Sequence, residues 1–224
     1  MAAPSEDDAS GERAGSPPSD RVSEGATPIA VGDRWRAIAE AGHTGDEPTA
    51  RAALCDDDHV MRELALGALA RMQRLGEGDV VAALRDPHPS VRRRAALLAA
   101  ASPQVDLAEP LADAAAVVVE AAAWAAGEQG ATRLVPTLSN LATSAADALV
   151  REAAVAALGA IGSVEGLPAI LAACADKPAV RRRAVLALAP FDGPEVDAAL
   201  EAALHDRDWQ VRQAAEDVLP RLDT

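Results

Sequence analysis

The chain has 224 residues, half of them hydrophobic, yet only 2% are aromatic, with no Tyr and a single Phe. That length admits one sizeable domain, and an apolar content carried by Ala, Leu and Val suits close-packed helices better than a sheet, which draws on aromatic and β-branched residues. A formal charge of −14 repels a phosphate backbone and so argues against non-specific nucleic-acid binding.

Residues 1–30 are rich in Ser, Pro, Gly, Asp and Glu and offer almost nothing to bury. Six acidic groups against Arg13 and Arg21 give this segment a charge of −4. A stretch of that composition cannot offset the entropy of ordering, so a disordered acidic tail is expected, either a solvated leader or a short docking arm. No charged start followed by an apolar run opens the chain. Nor is any stretch of about 18 residues free of charges and breakers, so a cytoplasmic location without a membrane span is expected. Twenty of the 21 basic residues are Arg, Lys177 being the exception, which reads as the habit of a GC-rich genome before it reads as phosphate recognition.

From residue 31 to 224 the chain repeats itself. The segment Val150–Gly159, VREAAVAALG, finds its register again from Met61, Val91, Val118, Val180 and Val211, and more weakly from Trp35. The six strong anchors lie 30, 27, 32, 30 and 31 residues apart. A period near 30 marks a stacked array of one repeated unit. Four residues past the anchors stand Ala39, Ala65, Ala95, Ala122, Ala154, Ala184 and Ala215. One residue past them stand Arg36, Arg62, Arg92, Val119, Arg151, Arg181 and Arg212, so Arg is missing only in the third repeat. An acid precedes most anchors in a polar turn: Asp57, Asp86, Asp113, Asp147, Asp176 and Asp206. Anchor, plus four, plus seven and plus eight share one helical face, which is therefore predicted to be buried, with Ala letting neighbours approach closely.

A shorter helix is predicted before each of these, over 79–84, 134–141, 166–174 and 195–204. Pro168 and Pro194 sit near helix starts, where a missing N–H costs little, and Asp-Pro and Gly-Pro turns break the chain between elements. The unit is helix, tight polar turn, helix. Asp, then Val-Arg, then spaced Ala and Leu at this period resembles the HEAT-like repeats named after phycobilisome lyases, over roughly residues 33–222. The resemblance implies an all-α, right-handed α-solenoid of about six to seven hairpins whose second helices line a concave surface. It also implies a polar ladder of Asp57, Asp86, Asp147, Asp176 and Asp206 with Arg62, Arg92, Arg151, Arg181 and Arg212. Holding a partner is the usual role. The third repeat departs from the pattern through Val119, a spacing of 27 and Pro110, so a bend is expected there.

Residues suited to chemistry are sparse. Cys55 and Cys174 occupy equivalent places four repeats apart, too far for the Cα separation of about 7 Å that a disulfide needs, so two free and mostly buried thiols are expected. His43, His59, His88 and His205 fall in or beside turns, without the spacing of a metal site or the His-Glu pairs of the di-iron HEAT-like hydroxylases. No glycine-rich phosphate loop or nucleophile elbow is present, so neither an enzyme nor a cofactor is expected.

The open face of the second helices is more informative. Positions six past the anchors read Gly67, Leu97, Trp124, Ala156, Leu186 and Asp217, and positions two and three contribute Arg93, Arg94, Arg182 and Arg183 with Glu120 and Glu152 between them. An apolar strip of Leu97, Trp124 and Leu186 flanked by Arg clusters has the composition of a binding hot spot. Two readings of Trp124 stand side by side: an exposed anchor for a partner, or a filler for the Ala-rich third repeat. Trp35 and Trp209 are expected to cap the two ends of the stack. The leading expectation is a non-catalytic scaffold that holds a protein segment, helical or acidic, on its concave face. The rivals are a HEAT-like DNA glycosylase relative using Trp124 and Asp113, against which the negative charge stands, and a bilin lyase-like subunit.

Overall fold

A computed structural model describes residues 31–219, all helix and turn, so the expected tail at 1–30 lies outside the described residues. Five short first helices are α2 (Glu47–Ala53), α4 (Glu77–Ala83), α7 (Val135–Ser144), α9 (Leu167–Ala173) and α11 (Pro194–Leu204). The second helices are α3 (His59–Arg71), α5 (Pro89–Ala99), α6 (Ala116–Glu128), α8 (Ala148–Ile161), α10 (Pro178–Ala187) and α12 (Trp209–Val218), and α1 (Val31–Thr44) opens the row. Each second helix packs on the next, from α1 through α3, α5, α6, α8 and α10 to α12, and each first helix packs on its own partner. This is an α-solenoid.

The buried face is the one the repeat predicts. Met61, Val91, Val118, Val150, Val180 and Val211 are buried, and Ala65, Ala95, Ala122, Ala154, Ala184 and Ala215 are wholly so. None of these helices exceeds 14 residues, a length at which an isolated helix is marginal in water, so stability comes from the neighbour on each side. The Ala column sets how near that neighbour comes. Glycine takes over where backbones meet: a Cβ on Gly159 would lie 2.7 Å from the Ala187 Cα, and one on Gly127 3.0 Å from the Ala157 Cα. Gly162 ends α8 with φ of 67°, a left-handed cap that suits glycine.

The third hairpin has no first α-helix. A loop with a single 3-10 turn at Pro110–Ala112 stands there, and it buries Val105, Leu107 and Leu111 in the helix's stead. Gln129, just past α6, clamps the loop by donating from Nε2 to the carbonyls of Ala99, Ser102 and Val105 at 2.9, 3.2 and 3.3 Å. Proline cannot continue a helical ladder, and the amide of one glutamine substitutes for it.

The polar ladder exists with Asp86, Asp176 and Asp206 as expected, but with Asp56 and Asp113 in place of Asp57 and Asp147. Arg62 grips Asp86, Arg92 grips Asp113, Arg151 grips Asp176 and Arg181 grips Asp206, each through Nε and Nη2 on the two carboxylate oxygens at 2.6–2.9 Å. Arg34 reaches Asp56 at the start of the row through Nη2 on one carboxylate oxygen. Nη1 meanwhile donates to carbonyls of the arginine's own turn, such as Asp56 and Asp57 for Arg62. Every carboxylate also accepts a backbone N–H one or two residues on. Each bidentate rung thus has four or more bonds, two of which cross from one turn to the next. Asp57 is exposed and contributes only its carbonyl, whereas Asp147 is the N-cap of α8, accepting from the Leu149 amide as Asp58 does from Val60. Arg212, at the end, donates to the Asp206 carbonyl and to no side chain among the described residues. The spacing identified an acid near each turn without separating cap from rung, because both lie within five residues of the anchor.

The first register is also corrected. Arg34 takes the place expected of Arg36, which pairs instead with Asp33 on its own helix. Ile38, Ala41 and Gly42 form the packed face of α1, so Trp35 is no anchor and Ala39 is only half-buried. One rung is missing altogether. Val119 stands where α6 should offer Arg, and Ala145 stands where the next turn should offer Asp, so the loss is mutual and leaves no orphaned charge.

Val119→Arg alone should bury an unpaired guanidinium and cost about 2 kcal/mol. Adding Ala145→Asp should recover most of that loss, with a coupling of at least about 1 kcal/mol between the two changes in urea unfolding. In Asp56, Asp113, Asp176 and Asp206 the arginine hydrogen bond holds the carboxyl below its usual 3.8 against the opposing pull of burial. At Asp86 burial pushes upward and is outweighed by Arg62 and the His88 amide. Folded carboxyls that titrate lower than unfolded ones contribute stability above the unfolded value and lose it in acid. Urea midpoints should therefore be level from pH 7 to about pH 5 and fall steeply below about pH 4.

Candidate functional site

The second helices leave one side exposed, and a hollow on that side spans α5, α6, α8 and α10. It holds about 620 Å³ and is walled by α5 through Arg93 and Leu97, by α6 through Glu120 and Trp124, and by α8 and α10 through Leu149, Glu152 and Arg183. Its floor is α8, which presents Ala153, Ala156, Ala157 and Ala160 on successive turns. At Ala153 and Ala156 other repeats carry Arg94 and Arg183, and Leu97 and Leu186, so these methyl groups leave the space open. Trp124 stands at the wall, 45% exposed, and so does not fill the space. Trp124 is thus exposed and is not the filler of the Ala-rich third repeat, whose Ala121 and Ala123 are already buried.

Of the residues singled out by sequence, Arg93, Leu97, Trp124 and Arg183 come together here. Leu186 lines an adjoining hollow of about 440 Å³ that shares Ala156, Ala160 and Arg183 with the first. Arg94 turns the other way, into a hollow of about 490 Å³ between α1 and α3, where its Nη2 would lie 2.9 Å from a Cβ on Gly67. Arg182 is exposed and lines none of these hollows. The expected flanking clusters are therefore split, since two adjacent residues on a helix point about 100° apart.

Leu149 was missed. It is 58% exposed at the rim, one residue before the anchor Val150. Val60 and Val117 hold the same register and are exposed too. A column of apolar residues just ahead of the anchors was legible in the sequence, but only positions two, three and six had been assigned to the open face. Glu128 was missed for a simpler reason, lying one residue beyond the aligned block.

Both end caps are corrected. Trp35, 49% exposed, lines the hollow between α1 and α3, and Trp209, the first residue of α12, is more exposed still. Asp113 is locked to Arg92 and borders a hollow on the turn side that contains neither Trp124 nor its neighbours. Trp124 and Asp113 are thus not placed together. His59 and His88, from successive turns, stack with ring centroids 3.5 Å apart, and His43 contacts Arg71. No helix among the described residues is long and apolar enough to cross a membrane.

Stacked helical hairpins joined by turn-to-turn Arg–Asp rungs define the class, an α-solenoid. Residues 106–179, which include α6, α7, α8 and α9, match the family model of HEAT repeats. That description covers HEAT repeats at large and does not single out the phycobilisome-lyase type. No curated protein matches the sequence. Among matching solved structures is human deoxyhypusine hydroxylase in complex with glycerol, at 18% identity, covering 86% of this chain and 90% of that one with a TM-score of 0.39. A likeness of that size carries nothing about activity.

Cys55 and Cys174 are both free thiols, as the stack requires. Cys55 is exposed, correcting the expectation of burial, because α2 ends at Ala53 and the chain has already turned outward. Burial pushes the Cys174 thiol up to about 11, and its Sγ donates to the Ile170 carbonyl at 3.6 Å. A thiol reagent at pH 8 should modify Cys55 within minutes and reach Cys174 only after unfolding in urea, which peptide mapping would show.

Proposed function

We propose that the chain is a non-catalytic interaction module that seats a segment of a partner protein in the hollow between α5, α6, α8 and α10. The observation that carries this reading is Trp124, held half out of a rigid wall beside Leu97 and Leu149, above a floor of alanines. A large, conformationally restricted aromatic at the edge of a ready-made apolar hollow is what a binding hot spot needs, since little entropy is lost when the partner arrives. Exposed apolar surface on an otherwise charged protein also has to be accounted for, and a partner does so. The HEAT-like scaffold supports the reading in outline. Repeat stacks present extended faces to other chains, and each helix is braced by two neighbours. Cytoplasmic function belongs to the same proposal.

Trp124→Ala should remove an anchor worth about 2 kcal/mol, or roughly thirtyfold in affinity, while leaving the urea midpoint within experimental error because the side chain is largely outside the core. Affinity capture from the native host with wild type and with the Trp124→Ala and Leu149→Ala variants tests this. Recovery of the same proteins in the same amounts by all three would show that another surface, or none, does the binding.

A further inference from the structure

The charges around Trp124 define the chemistry of what this hollow receives. Glu120 and Glu128 lie four residues before and after Trp124 on α6, one helical turn to either side, and all three line the hollow. At that spacing Cβ atoms are about 5–6 Å apart, so the indole is bracketed by two carboxylates. Glu152 on α8 adds a third and lies 3.5 Å from the Arg183 guanidinium, so those two largely cancel. Neither Glu120 nor Glu128 has an ion-pair partner among the described residues, and only Arg93 remains on the opposite wall. The hollow therefore offers an electron-rich ring between two uncompensated carboxylates. Indole is the best of the aromatic faces for a cation, and carboxylates on both sides would hold that cation in register.

Resting on the reading above, we infer that the occupant is a basic amphipathic segment, with an Arg or Lys side chain laid on the Trp124 indole between Glu120 and Glu128 and apolar residues against Leu97 and Leu149. The sign is opposite at the other end of the same face. There Trp35 shares its hollow with Arg71, Arg94 and His43 against the lone acid Glu63. Each of the two tryptophans thus carries its own electrostatic setting, and a basic segment is matched to one of them only. An acidic segment, suggested by the Arg clusters in the sequence, fits the Trp124 hollow poorly because Arg94 and Arg182 do not face it. The net charge of −14 would also draw a basic partner in from a distance.

The test uses the full chain and two synthetic 18-residue amphipathic peptides with identical Leu positions, one carrying Arg on its polar face and the other Glu. Binding is followed by calorimetry at two salt concentrations. The Arg peptide should bind at least tenfold tighter than the Glu peptide and weaken as salt rises. Glu120→Gln with Glu128→Gln should cost about five- to tenfold, Trp124→Ala should cost roughly thirtyfold, and Trp35→Ala should leave binding unchanged. Equal binding of both peptides, or no loss in the double Gln variant, would overturn the basic occupant while leaving a segment-binding hollow intact. No binding of either peptide would remove both the occupant and the hollow as a peptide site. Self-association of the chain in sedimentation, abolished by Trp124→Ala, would mean that a second copy fills the hollow and would overturn the inference.

Discussion

Close approach between successive second helices is the constraint on which the rest of this molecule depends. Each of those helices has one apolar stripe and too few residues to persist alone, so it survives only if a neighbour covers the stripe on both sides. Ala65, Ala95, Ala122, Ala154, Ala184 and Ala215 make that possible by keeping the contact shallow, and Gly127 and Gly159 extend it where backbone meets backbone. A larger side chain in that column would separate the helices and open the Arg–Asp rungs beyond hydrogen-bonding reach. Dispersion and burial hold the row together, and the rungs fix its phase.

The rungs show how a polar group can be buried at little cost. Each guanidinium of a bidentate rung donates to two carboxylate oxygens and to its own turn, and each carboxylate also takes a backbone N–H, so no charge is left without partners. The price of desolvation is met by bonds of good geometry, and the bidentate fork specifies which turn follows which. Where the third repeat lacks Arg, the fourth lacks Asp. A half-rung would have been worse than none, and the sequence contains no half-rung inside the row.

The hollow at Trp124 follows from the same economy of size. Alanines that suit close packing on one side of α8 are also present on its outer side, where nothing fills the space above them. An aromatic wall, a small-residue floor and two carboxylates that no arginine answers are the properties of a receiving site on a rigid frame. Rigidity comes from neighbours on both sides, which is why the indole can stay half exposed without the helix beneath it being disturbed.

The sequence by itself determined the helical hairpin, its period, the buried columns and the missing Arg of the third repeat, because all of these are written in local spacing on a helix. It also placed Arg93, Leu97, Trp124 and Arg183 on one face. Only the tertiary structure decided which acid caps a helix and which reaches across to the next turn, since Asp56 and Asp58, or Asp86 and Asp147, look alike in one dimension. The same holds for the direction of Arg94, the exposure of Cys55 and the register of α1, which opens the described row. Distances between turns depend on how closely helices stack. That closeness is a property of the assembled row, and no single repeat contains it.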